Sequence, residues 1–137
     1  MVEFKVKFEW YEVGAASFLH SFFSTIAYRL ENNKWGSRFP YLMLELYQGE
    51  LPRSNVEKAI KELDVVKNEL ENFSPDKVIW DIEDLNSQPP WGNEISESIT
   101  NLSNYFVTSD GKDLFKVLYE TLESSIRLNS NVEICPL

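Results

Sequence analysis

The stretch Val2-Glu3-Phe4-Lys5-Val6-Lys7-Phe8-Glu9-Trp10 alternates apolar and charged side chains without a break. Successive side chains of an extended backbone point to opposite faces. The pattern therefore puts Val2, Phe4, Val6, Phe8 and Trp10 on one face and Glu3, Lys5, Lys7 and Glu9 on the other. A strand with one buried and one wet face belongs to an antiparallel or mixed sheet, covered on one side only. Gly14 ends this strand, and the rest of the chain must supply the cover.

Three segments have helical periodicity. From about Ala15 to Asn32, Phe18, Phe22, Ile26 and Leu30 recur every four residues, and Leu19, Phe23 and Ala27 widen the stripe. Asn32, Asn33 and Gly36 are stop signals. This aromatic-rich face is expected to pack on the sheet. Ser54-Asn55-Val56-Glu57 has capping-box spacing and opens a second helix to about Asn72, with Val56, Ile60, Leu63, Val66 and Leu70 inward. Its other face, Glu57, Lys58, Lys61, Glu62, Lys67, Asn68 and Glu71, carries mixed charge and is expected to be solvated. After the Ser109-Asp110-Gly111 turn, a third helix runs from about Lys112 to Leu128, burying Leu114, Phe115, Leu118, Leu122 and Ile126.

Further strands are predicted at Tyr41 to Tyr47 (almost wholly apolar, hence central), Lys77 to Ile82, Tyr105 to Thr108, and Val132 to Cys135. Between them, Asn86, Ser87, Pro89, Pro90, Gly92 and Asn93 make a loop, with a short helical turn near Glu94 to Ile99. The predicted fold is α+β, a single domain over residues 1–137: one mixed or antiparallel sheet of about four to five strands packed against about three helices. No repeat, low-complexity tract or linker divides it.

The totals agree. A chain of 137 residues with 43% apolar and 14% aromatic content is on the folded side of composition space. Cys135 is the only cysteine, so no intrachain disulfide forms, which fits a cytoplasmic protein. The early alternation has no basic segment followed by an apolar run, so no secretory leader is expected. The most apolar window, Ala15 to Tyr28, is broken by Ser17, His20, Ser21, Ser24 and Thr25 and is too short to span a bilayer. The net charge of −9 argues against nucleic acid or an anionic membrane as partner and suits a basic protein.

Motifs for catalysis are sparse. Glycines at 14, 36, 49, 92 and 111 are too scattered for a phosphate loop. His20 and Cys135 are the only Cys–His pair, and Cys135, beside Pro136, is poorly placed as a nucleophile. One His and one Cys cannot complete a zinc site, and no cofactor is expected. Asp81, Glu83 and Asp84 are the exception. On a strand Asp81 and Glu83 share a face, where carboxylates suit Mg²⁺ or acid–base work. Yet no Lys or Arg occurs between Lys77 and Lys112, whereas Asp81, Glu83, Asp84, Glu94, Glu97 and Asp110 all do. The same interval holds Trp80, Pro89, Pro90 and Trp91. Large aromatics beside stiff prolines suit an interface anchor ringed by charge, unless Trp91 folds back on the core. The candidate partner-binding residues are Asp81, Glu83, Asp84, Trp91, Glu94 and Asp110.

The runs Trp80-Asp81-Ile82-Glu83-Asp84-Leu85, Gln88-Pro89-Pro90-Trp91-Gly92 and Asn104-Tyr105-Phe106-Val107-Thr108-Ser109-Asp110-Gly111, followed by Leu114-Phe115, resemble the immunity protein 70 family of bacterial polymorphic toxin systems. The resemblance implies a non-enzymatic cytoplasmic antitoxin that binds a cognate toxin domain, and it supplies no catalytic residues. An acidic interval would suit a basic toxin such as a nuclease. Two other readings stay open: a metal-dependent enzyme built on Asp81, Glu83 and Asp84, and a structural oligomer subunit joined through exposed aromatics.

Overall fold

The computed structural model describes residues 1–136. In chain order the elements are β1 (Val2–Val6), β2 (Glu9–Gly14), α1 (Ala16–Leu30), a π-helical turn (Tyr41–Leu46), β3 (Glu50–Leu51), a 3-10 turn (Arg53–Asn55), α2 (Val56–Leu70), a second 3-10 turn (Pro75–Lys77), α3 (Leu114–Leu128) and β4 (Val132–Pro136). The four strands form one antiparallel sheet in the order β2-β1-β4-β3, so the fold is α+β as the sequence predicts. Helix α3 packs against β1, β2 and β4, and α1 against β2.

The opening stretch is two strands, not one. Val6 pairs with Glu9 across a two-residue turn at Lys7 and Phe8. Lys7 takes a φ of 57°, a conformation that such hairpins usually give to glycine. Paired residues share a face, so the turn moves the inward set from even to odd positions. Phe4 and Val6 are buried in β1 and Val13 in β2, whereas Phe8 and Trp10 are 69% and 50% exposed. The alternation continues unbroken through the turn and hides the reversal.

Helix α1 buries every residue of its predicted stripe. Helix α2 lacks the capping box: Asn55 Nδ2 donates to Glu45 Oε1 at 2.8 Å, and Arg53 Nη1 holds Glu57 at 2.7 Å. In α3 the cap is Asp113, whose Oδ1 accepts the Phe115 N–H at 3.2 Å. Ile126 is exposed near the end of that helix, while Thr121, Ser124 and Ser125 are buried.

Three predicted strands are absent. Tyr41 to Leu46 coils because its inward residues, Leu42, Met43 and Leu46, have helical spacing and leave Leu44 exposed. A short apolar run cannot by itself separate strand from helix. Glu62 of α2 accepts the N–H groups of Tyr41 (3.3 Å) and Leu42 (2.9 Å), acting as a cap from a distant element. Lys77 to Ile82 lies along α1 without joining the sheet. Tyr105 to Thr108 makes one bridge, between Val107 and Asp113. Glu94 to Ile99 forms no helical turn: only Glu97 and Ser98 lie in a turn, and the rest is irregular.

The connection after α1 is organised by Glu31. Only 2% exposed, its carboxylate accepts the N–H groups of Gly36, Arg38 and Phe39 at 3.0, 3.0 and 3.1 Å. Glu31→Ala should therefore cost roughly 3–5 kcal/mol, because buried donors lose their acceptor. Glu31→Gln, which keeps one acceptor oxygen, should cost less. Urea midpoints at constant slope measure both, and a midpoint unchanged in the alanine variant would deny Glu31 this role.

Candidate functional site

The site is built on polar residues of α1. Ser21, Ser24 and Thr25 are buried within a helix whose other inward residues are apolar. Such hydroxyls need partners. Ser21 Oγ donates to the Ile79 carbonyl at 2.8 Å. Thr25 Oγ1 accepts the Ile79 N–H at 3.1 Å and donates to the Ser21 carbonyl at 2.8 Å. Ser24 Oγ accepts the Ile82 N–H at 3.2 Å. Arg29 Nε donates to the Lys77 carbonyl at 2.9 Å. Residues 77–82 thus lie as a strap bonded to helix side chains in place of a strand. The signal was in the sequence: positions 21, 24 and 25 have i, i+3, i+4 spacing and form one polar stripe.

The strap delivers Asp81 to His20. Asp81 Oδ1 lies 3.2 Å from His20 Nε2 and accepts the Glu83 N–H at 2.9 Å. His20 Nδ1 lies 2.7 Å from the Tyr47 hydroxyl, and the imidazole stacks at 21° to Trp35 with ring centroids 6.4 Å apart. With the proton on Nε2, His20 donates to Asp81 and accepts from Tyr47. The Glu83 N–H, and after it His20, holds the Asp81 carboxyl below its usual range. Burial, then the Asp81 and Glu83 charges, pushes the Tyr47 phenol up.

His20 is therefore engaged by Tyr47 and Asp81. Cys135 is on β4 opposite Glu3, its thiol pushed up chiefly by burial. Nor do Asp81 and Glu83 share a strand face: the chain turns there, with the Asp84 N–H donating to the Asp81 carbonyl at 3.1 Å. Among the described residues, no three His, Cys, Asp or Glu side chains are grouped to hold a metal ion.

Beyond the turn, residues 83–98 form a mostly exposed layer. Glu83, Asp84, Glu94 and Glu97 are exposed, as are Leu85 (51%) and Trp91 (38%). Trp91 is both packed and open. Its ring meets Trp80 edge to face, with centroids 5.4 Å apart, and its Nε1–H donates to the Tyr105 hydroxyl at 2.9 Å. An apolar groove of about 300 Å³ runs beside it, walled by Phe18, Ile95, Ile99, Tyr105 and Val107, with Glu94 in its lining. Asp110 is elsewhere. It accepts from Thr108 Oγ1, faces Lys112 Nζ at 3.7 Å, and borders a separate hollow with Trp10, Tyr11 and Val117. The six sequence candidates thus fall into separate places: Asp81 on the strap against His20 of α1, Glu83 and Asp84 past the turn, Trp91 and Glu94 at the groove, Asp110 by β2. His20, Tyr47 and the α1 hydroxyls complete the setting.

No helix of the described residues is long and apolar enough to cross a membrane. A family model described as Immunity protein 70 matches residues 4–134, which takes in the strap, the layer and both sheet edges. No curated protein and no solved structure matches the chain.

Thr25→Val should free the strap, since the Ile79 N–H loses its acceptor at a cost of about 1–3 kcal/mol. Faster hydrogen exchange at the Ile79 and Ile82 amides reports it; unchanged protection would mean that the hydroxyl is dispensable. The Asp81 carboxyl has a folded pKa below its unfolded value. Its contribution is therefore complete above the ordinary Asp range and is lost as pH falls through the folded value. Asp81→Asn should flatten the acid limb of the stability curve, measured by thermal melts from neutral pH downward.

Proposed function

The chain belongs to the immunity protein 70 family, and on that premise we propose that it is a cytoplasmic, non-catalytic antitoxin which binds a cognate bacterial toxin domain. Binding neutralises the toxin by covering its active site or a surface that it needs. The observation that carries this reading is the layer at residues 83–98. It exposes Glu83, Asp84, Glu94 and Glu97 along with Leu85 and Trp91, with no Lys or Arg in the interval.

Exposed apolar anchors alongside charged residues suit a protein-binding patch. A carboxylate rim steers a basic partner, such as a nuclease with a phosphate-binding face, and discriminates against acidic ones. In this arrangement Asp81 is a positioning residue, spent on His20 and the turn. Glu83, Asp84, Trp91 and Glu94 make contact. Asp110, set apart beside β2, adds to the long-range field.

Co-expression with a toxin-like reading frame found beside the gene tests the reading. The protein should restore growth, and equal killing with and without it would end the proposal. With the toxin in hand, the double reversal of Asp84 and Glu94 to Lys should slow association by about tenfold at low salt and weaken its salt dependence. Stopped-flow rates at two ionic strengths measure this, and unchanged rates would clear both residues of a steering role.

A further inference from the structure

We propose that the groove beside Trp91 is a socket for one arginine side chain, presented by a loop of the protein partner. The inference rests on the antitoxin reading and deepens it, by naming the chemistry that the partner must offer at this point.

The groove has two kinds of wall. Ile95, Ile99 and Val107 supply aliphatic surface that fits the methylene stem of a long side chain. Trp91 and Tyr105 supply aromatic rings, and Glu94 supplies the only charged group in the lining. An exposed ring and a carboxylate together are a guanidinium's surroundings, since its plane stacks on the Trp91 ring while its N–H fork meets the carboxylate. The volume, about 300 Å³, is at the small end of ligand sites and suits a single inserted side chain.

Charge selects the occupant. An apolar anchor would strip water from the Glu94 carboxylate and leave it unpaired, which is costly. A guanidinium removes that cost, and it meets no competing cation in the lining, which has no Lys or Arg. The socket is also pre-formed. Trp91 is fixed between Trp80 and the Tyr105 hydroxyl, and its only donor is already used there. Little ordering entropy remains to be lost when the groove fills.

The test follows the indole N–H signals of the four tryptophans in the ¹⁵N-labelled full chain. The Trp91 signal is assigned with Trp91→Phe. The probes are N-acetyl-arginine amide, its uncharged isostere N-acetyl-citrulline amide, and N-acetyl-leucine amide. Arginine amide should move the Trp91 signal, and citrulline amide should bind at least about fivefold more weakly. Glu94→Gln, an exposed substitution that leaves the fold intact, should erase that difference. Equal binding of arginine and citrulline, stronger binding of leucine, or no movement up to about 100 mM would overturn the proposal.

A growth assay with the toxin separates the two readings. Wild type that protects, beside Glu94→Gln that protects equally and binds the toxin with unchanged affinity, removes the socket and leaves the antitoxin standing. Loss of about tenfold or more in affinity for Glu94→Gln supports the socket. Wild type that fails to protect removes the antitoxin reading, and the amide titration still decides whether the groove takes a guanidinium.

Discussion

A backbone segment buried against a helix has no neighbouring strand to satisfy its N–H and C=O groups. In this protein the side chains of Ser21, Ser24 and Thr25 do it, taking up Ile79 and Ile82 from the helix side. Much depends on that contact. It sets Asp81 against His20, and it brings Trp80 under Trp91. The Trp91 wall of the groove therefore traces back to hydroxyls in the middle of α1. A helix with an entirely apolar stripe would bury more hydrocarbon but would leave the strap's polar groups unpaired.

The same logic divides the acidic residues. Net charge counts carboxylates without saying which are occupied. Glu31 and Glu62 serve as backbone acceptors, Asp113 caps α3, and Asp81 ties a turn to an imidazole. Burial raises the carboxyl of Glu62, in spite of the two N–H groups aimed at it. The role of these carboxylates is architectural. Glu83, Asp84, Glu94 and Glu97 face solvent.

What was legible in the sequence was the part governed by long, regular burial. The stripe of Phe18, Phe22, Ile26 and Leu30 persists for four turns, and no other conformation explains it. The reversal at Lys7 was not legible, because neither Lys7 nor Phe8 is a residue type that marks a turn. Tyr41 to Tyr47 has the composition of a strand, and the cap that coils it, Glu62, is remote in sequence. The strap resembles a strand for a similar reason: Val78, Ile79 and Ile82 have β character, and the partner that decides their pairing is a helix. At the site, the acidic interval and Trp91 were visible as composition. The union of Phe18 with Trp91, Ile99 and Val107 in one groove was not, because tertiary contact alone creates it.

The way the exposed layer is fastened has an evolutionary side. It hangs between the Ile82 N–H on Ser24 and the Leu102 N–H, which donates to the Phe73 carbonyl at 3.0 Å. Neither attachment belongs to the sheet, so residues inserted or exchanged between them shift no strand register. Apart from Trp91, which Trp80 and Tyr105 hold, the exposed positions of this span can change without disturbing the sheet. Substitutions at those exposed positions would leave the same sheet and helices to be inherited.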